Sequence, residues 1–170
     1  MINNKYVGDS LGGISLEVLD KFLSLIPKGS SILELGGGFS SNYMVDKGYE
    51  VYSVEHDIKW VGSFLSVNYF FIPLGVDGFY EHEAFKREVI DNNSFKFLVI
   101  DGPPACYIGR ETSRWGINDY PEFLKGCEVI LVDDTHRPAE KKLAMSIVKL
   151  GFSYEVINTV KKEAWLLWKK

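Results

Sequence analysis

Two hydrophobic periods alternate along the 170-residue chain. Five short runs, at 32–35, 51–54, 69–72, 97–100 and 129–132, are mostly apolar and rich in β-branched or aromatic side chains. They predict strands covered on both faces. Between them the apolar positions take a helical period. Leu16, Leu19, Phe22, Leu23 and Ile26 form one stripe, with Ser15 as N-cap and Pro27 and Gly29 at the exit. Further helices are predicted over 41–47, 58–67, 81–91, 116–125 and 138–149. Such alternation is most economically met by a doubly wound, Rossmann-like α/β domain: a mostly parallel sheet with helices on both faces and right-handed crossovers.

The final twenty residues break that rhythm. Two strand-like runs, 154–159 and 164–168, leave no room for a helix between them, so they predict an antiparallel C-terminal hairpin. Trp165 and Trp168 then belong to its core or to an oligomer surface, and Lys161 and Lys162 to its solvated turn. The most irregular stretch, 101–121, follows the fourth strand, at the sheet end where α/β folds bind ligands. Length and pattern predict one domain over 1–170, with residues 1–29 forming an N-terminal helix and a segment on the substrate side, and 30–170 the core.

Composition narrows the setting. The chain is 46% hydrophobic and 25% charged, and no apolar stretch reaches membrane-spanning length. The opening MINNKYVGDS lacks the form of a secretory signal and two cysteines make no disulfide framework, so a reducing cytoplasm is the expected location. A net charge of −4 disfavours a nucleic-acid partner.

The candidate chemistry begins with LELGGGFSS. A glycine turn between a strand and a helix brings bare backbone and free N–H groups to a ligand, which gives Gly36, Gly37 and Gly38 a purpose. The dinucleotide fingerprint G-x-G-x-x-G is incomplete, since its third glycine falls on Ser41. The residues fit E-x-G-x-G instead, with Glu34, Gly36 and Gly38, followed by Glu55 at the end of strand two, where a carboxylate can accept both hydroxyls of a ribose. Three further acids stand at neighbouring strand ends: Asp101 in FLVIDGPP, and Asp133 and Asp134 in VILVDDTHRP. Strands about 5 Å apart let these carboxylates converge on a hard cation such as Mg²⁺, which would relieve their mutual repulsion. Without an ion, Asp101 would orient a ligand and Asp133 or Asp134 would cap the helix near Pro138.

Through LELGGGFSS, VYSVEHD, FLVIDGPP and the terminal hairpin, nearly the whole chain resembles the class I S-adenosylmethionine-dependent methyltransferases. The resemblance implies a seven-stranded sheet with one antiparallel strand. It also implies S-adenosylmethionine over Gly36, Gly37, Gly38 and Ser40, with Glu34, Glu55, His56 and Asp101 as further cofactor contacts; Ser40 departs from the glycine that many members carry. The acidic ends are similar to those of the metal-dependent small-molecule and sugar O-methyltransferases, which implies Asp101, Asp133 and Asp134 as ligands of Mg²⁺ or another divalent cation.

Asp101 and His136 are then the catalytic candidates, His136 because an imidazole titrating near pH ~6.5 can remove a hydroxyl proton. Tyr107, Arg110, Arg114 and Arg137 are substrate candidates in the long loop and the strand-five turn, suited to sugar stacking or an anionic group. Trp60 is placed near the adenine edge or against the sheet, and Cys106 and Cys127 are expected to be inert.

The function so predicted is methyl transfer to a hydroxyl of a small molecule or glycan, assisted by a divalent metal. Acceptor specificity would come from the N-terminal segment, the 102–120 loop or a neighbouring subunit in a homo-oligomer. The alternatives are a metal-independent methyltransferase, including one acting on nitrogen, a nucleoside-binding module without turnover, and a dinucleotide oxidoreductase. DGPP differs at its second residue from the D-P-P-Y of amino-group methylases, which disfavours a planar amine.

Overall fold

The computed structural model describes residues 13–160 and 162–169, without the side chain of Arg110. The first twelve residues of the expected substrate-side segment, Lys161 and the Arg110 side chain therefore lie outside the described residues. Helix α1 (Leu16–Ser24) starts where expected, with the Ser15 hydroxyl accepting from the N–H of Val18 at 3.3 Å. It is followed by β1 (Ser31–Leu35), α2 (Phe39–Asp46), β2 (Glu50–Glu55) and β3 (Asn68–Phe71). Next come α3 (His82–Phe85), continued by a π-turn over Lys86–Ile90, and β4 (Phe97–Ile100). A two-stranded ribbon, β5 (Cys106–Tyr107) and β6 (Arg110–Glu111), precedes a 3₁₀ turn over Arg114–Asp119 and α4 (Pro121–Gly126). The chain ends with β7 (Val129–Val132), α5 (Pro138–Val148), β8 (Ser153–Asn158) and β9 (Glu163–Trp168).

The seven long strands form one sheet in the order β3-β2-β1-β4-β7-β9-β8. Pairings are parallel from β3 through β7, and β9 runs antiparallel to both β7 and β8. Period-two alternation divides each central strand between two apolar layers. Leu33, Leu35, Leu98, Ile100, Ile130 and Val132 face a layer that includes Phe79, Tyr80, Phe85 and α5. Ile32, Val51, Val99, Leu131 and Leu166 face α1 and α2.

Three helical expectations change. Residues 58–66 are successive turns and bends, because Gly62 takes a φ of +75° and only part of the apolar set is covered: Phe64 packs on the α1–α2 layer, but Ile58 is 62% exposed and Leu65 fully so. The 116–125 segment splits into 3₁₀ and α pieces at Pro121, whose ring cannot continue a preceding helix. The 81–91 helix widens after one turn into i→i−5 bonding, with the N–H of Asp91 on the carbonyl of Lys86 at 2.9 Å. Trp165 belongs to the hairpin core, stacked on Tyr154 with ring centroids 4.4 Å apart.

Candidate active site

The strand order reverses at β1, whose successor in space is β4 on one side and β2 on the other. At such a reversal the connections leave in opposite directions and open a crevice beyond the carboxyl ends of the strands. Here it is a cleft of about 570 Å³, walled by the glycine turn, Glu55, Trp60, Asp101, Tyr107 and Arg137, among others.

The three glycines have different reasons. Gly36 has a φ of +82°, and a Cβ there would lie 2.7 Å from the Cα of Gly102, so the turns after β1 and β4 touch through bare backbone. A Cβ on Gly37 would stand 2.2 Å from the Ser53 hydroxyl. Gly38 alone faces open space, with nothing within 4 Å of its absent side chain. The need for glycine at 36 and 37 thus comes from the protein itself, although all three line the cleft, and the N–H of Gly38 donates to the Ser41 hydroxyl at 3.0 Å.

Glu34 and Glu55 also part company. Glu34 shares the α2 side of β1 with Ile32, is fully buried, and accepts hydrogen bonds from the hydroxyls of Ser40, at 2.5 Å, and Ser41. It anchors the first turn of α2 beneath the cleft rather than lining it, which corrects its expected cofactor contact. Glu55 stands at the end of β2 on the cleft wall, where one carboxylate oxygen accepts from the N–H of Gly37 at 2.5 Å and the other from that of His56 at 3.1 Å. Burial raises both acids to about 7, against the hydroxyl bonds in Glu34 and the backbone bonds in Glu55.

His56 lines the cleft beside Glu55. Its side chain is 7% exposed, and neither ring nitrogen has a hydrogen-bond partner among the described residues. Burial keeps the imidazole below its usual pKa, and Tyr107 meets it edge-on with centroids 4.4 Å apart. A buried imidazole that makes no hydrogen bond among the described residues and has Nδ1 3.6 Å from Glu55, a glycine turn lining the cleft, and an acid at the ribose position fit a nucleoside-bearing cofactor such as S-adenosylmethionine.

Across the cleft, ligand oxygens of Asp101, Asp133 and Asp134 lie within 4.8 Å of one another. Asp134 takes a φ of +60°, which turns the chain after β7 back toward the cluster. These carboxylates are not bare. Arg114 is 5% exposed, and its guanidinium reaches Asp101 at 3.3 Å and Asp134 at 3.1 Å while donating to the carbonyls of Pro103 and Asp133. Lys162 stands 3.1 Å from Asp133 and 3.0 Å from Asp134, and Arg137 3.1 Å from Asp134.

The balance of burial and charge differs at each acid. Asp101 is pushed well above the carboxylate range by burial, against the pull of Arg114. At Asp134 burial pushes the same way, but Arg114 and Lys162 outweigh it and hold the acid below its ordinary value. Three carboxylates already meet three side-chain cations. The donor set therefore does not fit a resident divalent ion, which would meet an ammonium and two guanidinium groups already standing at these oxygens, cations that the buried Glu140 shares at 4.0 Å.

Other expectations change as well. Arg114 touches the cleft but is spent on internal ion pairs, so it is not free for an anionic acceptor. His136 is exposed and is not among the residues that wall the cleft. Lys162, expected in a solvated turn, is the residue that reading the sequence missed. Its position follows from the antiparallel register of Val132 with Trp165, which sets the β8–β9 turn beside Asp133 and Asp134. Tyr107 and Arg137 line the cleft as expected, and Trp60 stands at its wall, 43% exposed. Cys106 is exposed, and burial drives the Cys127 thiol up to about 12, as suits an inert residue.

No protein-family model and no curated protein matches the sequence. Solved structures do match in fold. A protein of Staphylococcus aureus assigned as a caffeoyl-CoA O-methyltransferase superposes with a TM-score of 0.60 at 14% identity, over 94% of this chain and 87% of its own. The magnesium protoporphyrin IX methyltransferase of Synechocystis, solved with bound S-adenosylmethionine, gives 0.55 at 11% identity, over 91% and 77%. The Mtq2–Trm112 complex of E. cuniculi, responsible for methylating the translation termination factor eRF1, gives 0.51 at 15% identity, over 91% and 93%. Their acceptors range from a small molecule to a protein. The likeness lies in the scaffold, and this chain carries the Rossmann-like fold of the S-adenosylmethionine-dependent methyltransferases.

Proposed function

We propose that the protein is an S-adenosylmethionine-dependent methyltransferase that methylates a hydroxyl of a small molecule or glycan. The observation that carries this reading is one continuous cleft joining a nucleoside-type cradle to a buried carboxylate. Glu55 follows β2 and Asp134 follows β7, three strand positions away and hence about 14 Å across the sheet. Both border the same cavity.

When bound, S-adenosylmethionine would supply a methyl group on a sulfonium for in-line displacement, in which the new O–C bond forms as the S–C bond breaks. Gly38 would present a surface without a side chain to it, and Glu55 would accept from its ribose hydroxyls. Asp101, at the cleft floor, takes the proton from the acceptor hydroxyl on a carboxylate oxygen. Burial raises the proton affinity of that oxygen, and the Arg114 guanidinium at 3.3 Å works against burial to favour the ionised form that a base requires. Arg137, whose side chain keeps 38% exposure at its ion pair with Asp134, presents a cation with which a polyhydroxylated ligand can be oriented. Tyr107 and Trp60 wall the cleft with aromatic surface against which a ring can stack while water is displaced.

The test is transfer of labelled methyl from S-adenosylmethionine to a panel of diols, catechols, sugars and amines, run with the wild type and with Asp101→Asn. Product on a hydroxyl, lowered at least ~100-fold by the variant, is expected for loss of a general base. Turnover confined to amines would move the reaction to nitrogen, and binding without product on any acceptor would leave a nucleoside-binding module.

A further inference from the structure

The acidic cluster has the residues of a cation site, and the space between its carboxylates is already served. We infer that Lys162, clamped by Asp133 and Asp134, is a built-in substitute for a divalent ion: it holds the acidic rim of the cleft in place and excludes metal.

Several observations converge on this residue. The turn that carries it is fixed from both sides. The hydroxyl of Thr159 accepts from the N–H of Lys162 at 3.1 Å, and the N–H of Thr159 donates back to the carbonyl of Lys162 at 2.8 Å. The N–H of Thr135 donates to the carbonyl of Glu163 at 2.8 Å, which ties the start of β9 to the turn after β7. The backbone therefore delivers the side chain, and the ammonium sits about 3 Å from both acids with 18% of the side chain exposed. One Asp134 oxygen lies 3.0 Å from that ammonium. Arg114 fills the opposite side with contacts to Asp101 and Asp134. Arg137 adds a third cation at Asp134, and the buried Glu140, 4.0 Å from both Arg114 and Arg137, is a fourth acid that shares these cations.

Lys162 does not line the cleft, so it is a positioning residue, acting through Asp133 and Asp134. The inference requires neither S-adenosylmethionine binding nor turnover and can fail separately from the proposed function.

Mn²⁺ alone is the probe, followed by electron paramagnetic resonance and calorimetry on the full chain. Wild type is expected to show no saturable site up to millimolar Mn²⁺. Lys162→Met keeps the stem and removes the charge; it should gain one site at least ~100-fold tighter, a conservative reading of one unit charge acting over a few ångströms. Adding Asp134→Asn should abolish that site, and Lys162→Arg should remain silent.

Saturable wild-type binding that Asp133→Asn removes would overturn the inference. So would a folded Lys162→Met protein, verified by circular dichroism, that gains nothing. Should that variant not fold, Lys162→Gln replaces it under the same criterion, and the wild-type titration still decides exclusion.

Discussion

Arg114 is the residue on which the acidic rim most depends, and replacing it with methionine tests that dependence without opening a large void. The substitution removes two carbonyl hydrogen bonds, to Pro103 and Asp133, and two carboxylate contacts, to Asp101 and Asp134, at a position 5% exposed. Breaking a buried ion pair by deleting one partner costs about 3–5 kcal/mol, because the other charge stays buried without compensation. The two carbonyls add to that cost unless water reaches them. Lys162 and Arg137 still face Asp134, so about 3–4 kcal/mol is the expected loss. With a urea dependence of about 2 kcal/mol per molar, the unfolding midpoint should fall by about 1.5–2 M.

The assay is urea unfolding at neutral pH followed by circular dichroism. A second arm adds Asp101→Asn to Arg114→Met, which removes the carboxylate that loses its ion pair and should recover at least about 1 kcal/mol of the loss. A loss below about 1 kcal/mol for Arg114→Met, or no recovery in the pair, would refute the view that Arg114 neutralises this cluster.

Glu34 and Glu55 make stability depend on pH in a defined direction. Each has a folded value of about 7 against about 4.5 unfolded, so its contribution is fully present below pH 4.5 and is lost as pH rises through 7, by about 3 kcal/mol each. Glu34→Gln cannot ionise and should remove about half of that decline in urea unfolding between pH 5 and 8; an unchanged slope would show that Glu34 is charged in the folded chain. Gly37→Ala should cost about 1–3 kcal/mol from its clash with Ser53, largely restored by adding Ser53→Gly, as thermal unfolding will show. Gly38→Ala, facing open space at the start of α2, should cost no more than about 1 kcal/mol.

Much of this architecture can be read from the sequence because the signals are local. The strand runs at 97–100 and 129–132 coincide with β4 and β7, where four consecutive buried residues leave little choice. The glycine turn and Glu55 were found because strand-end positions are set by the strands themselves. What escaped depends on tertiary register. Glu34 and Glu55 look alike in the sequence, yet one lies beneath α2 and the other emerges at the strand end; the shared face of Ile32 and Glu34 was the available clue. Lys162 could not be placed because the hairpin pattern says nothing about how β9 docks on β7. Arg114 reads as a loop charge until the ends of β4 and β7 are brought together beside it. Residues 58–67 carry apolar positions suited to a helix, but the core covers only Phe64 and Val67 and leaves Ile58 and Leu65 exposed.

The central claim is that a nucleoside-bearing cofactor rests between Gly38 and Glu55. Isothermal titration of the full chain with S-adenosylmethionine, beside Glu55→Ala and with NAD as competitor, measures it most directly. One saturable site is expected, weakened at least ~10-fold in the variant for the lost hydrogen bonds to a charged acceptor, and indifferent to NAD. No heat of binding with S-adenosylmethionine, or tight binding of NAD instead, would contradict it.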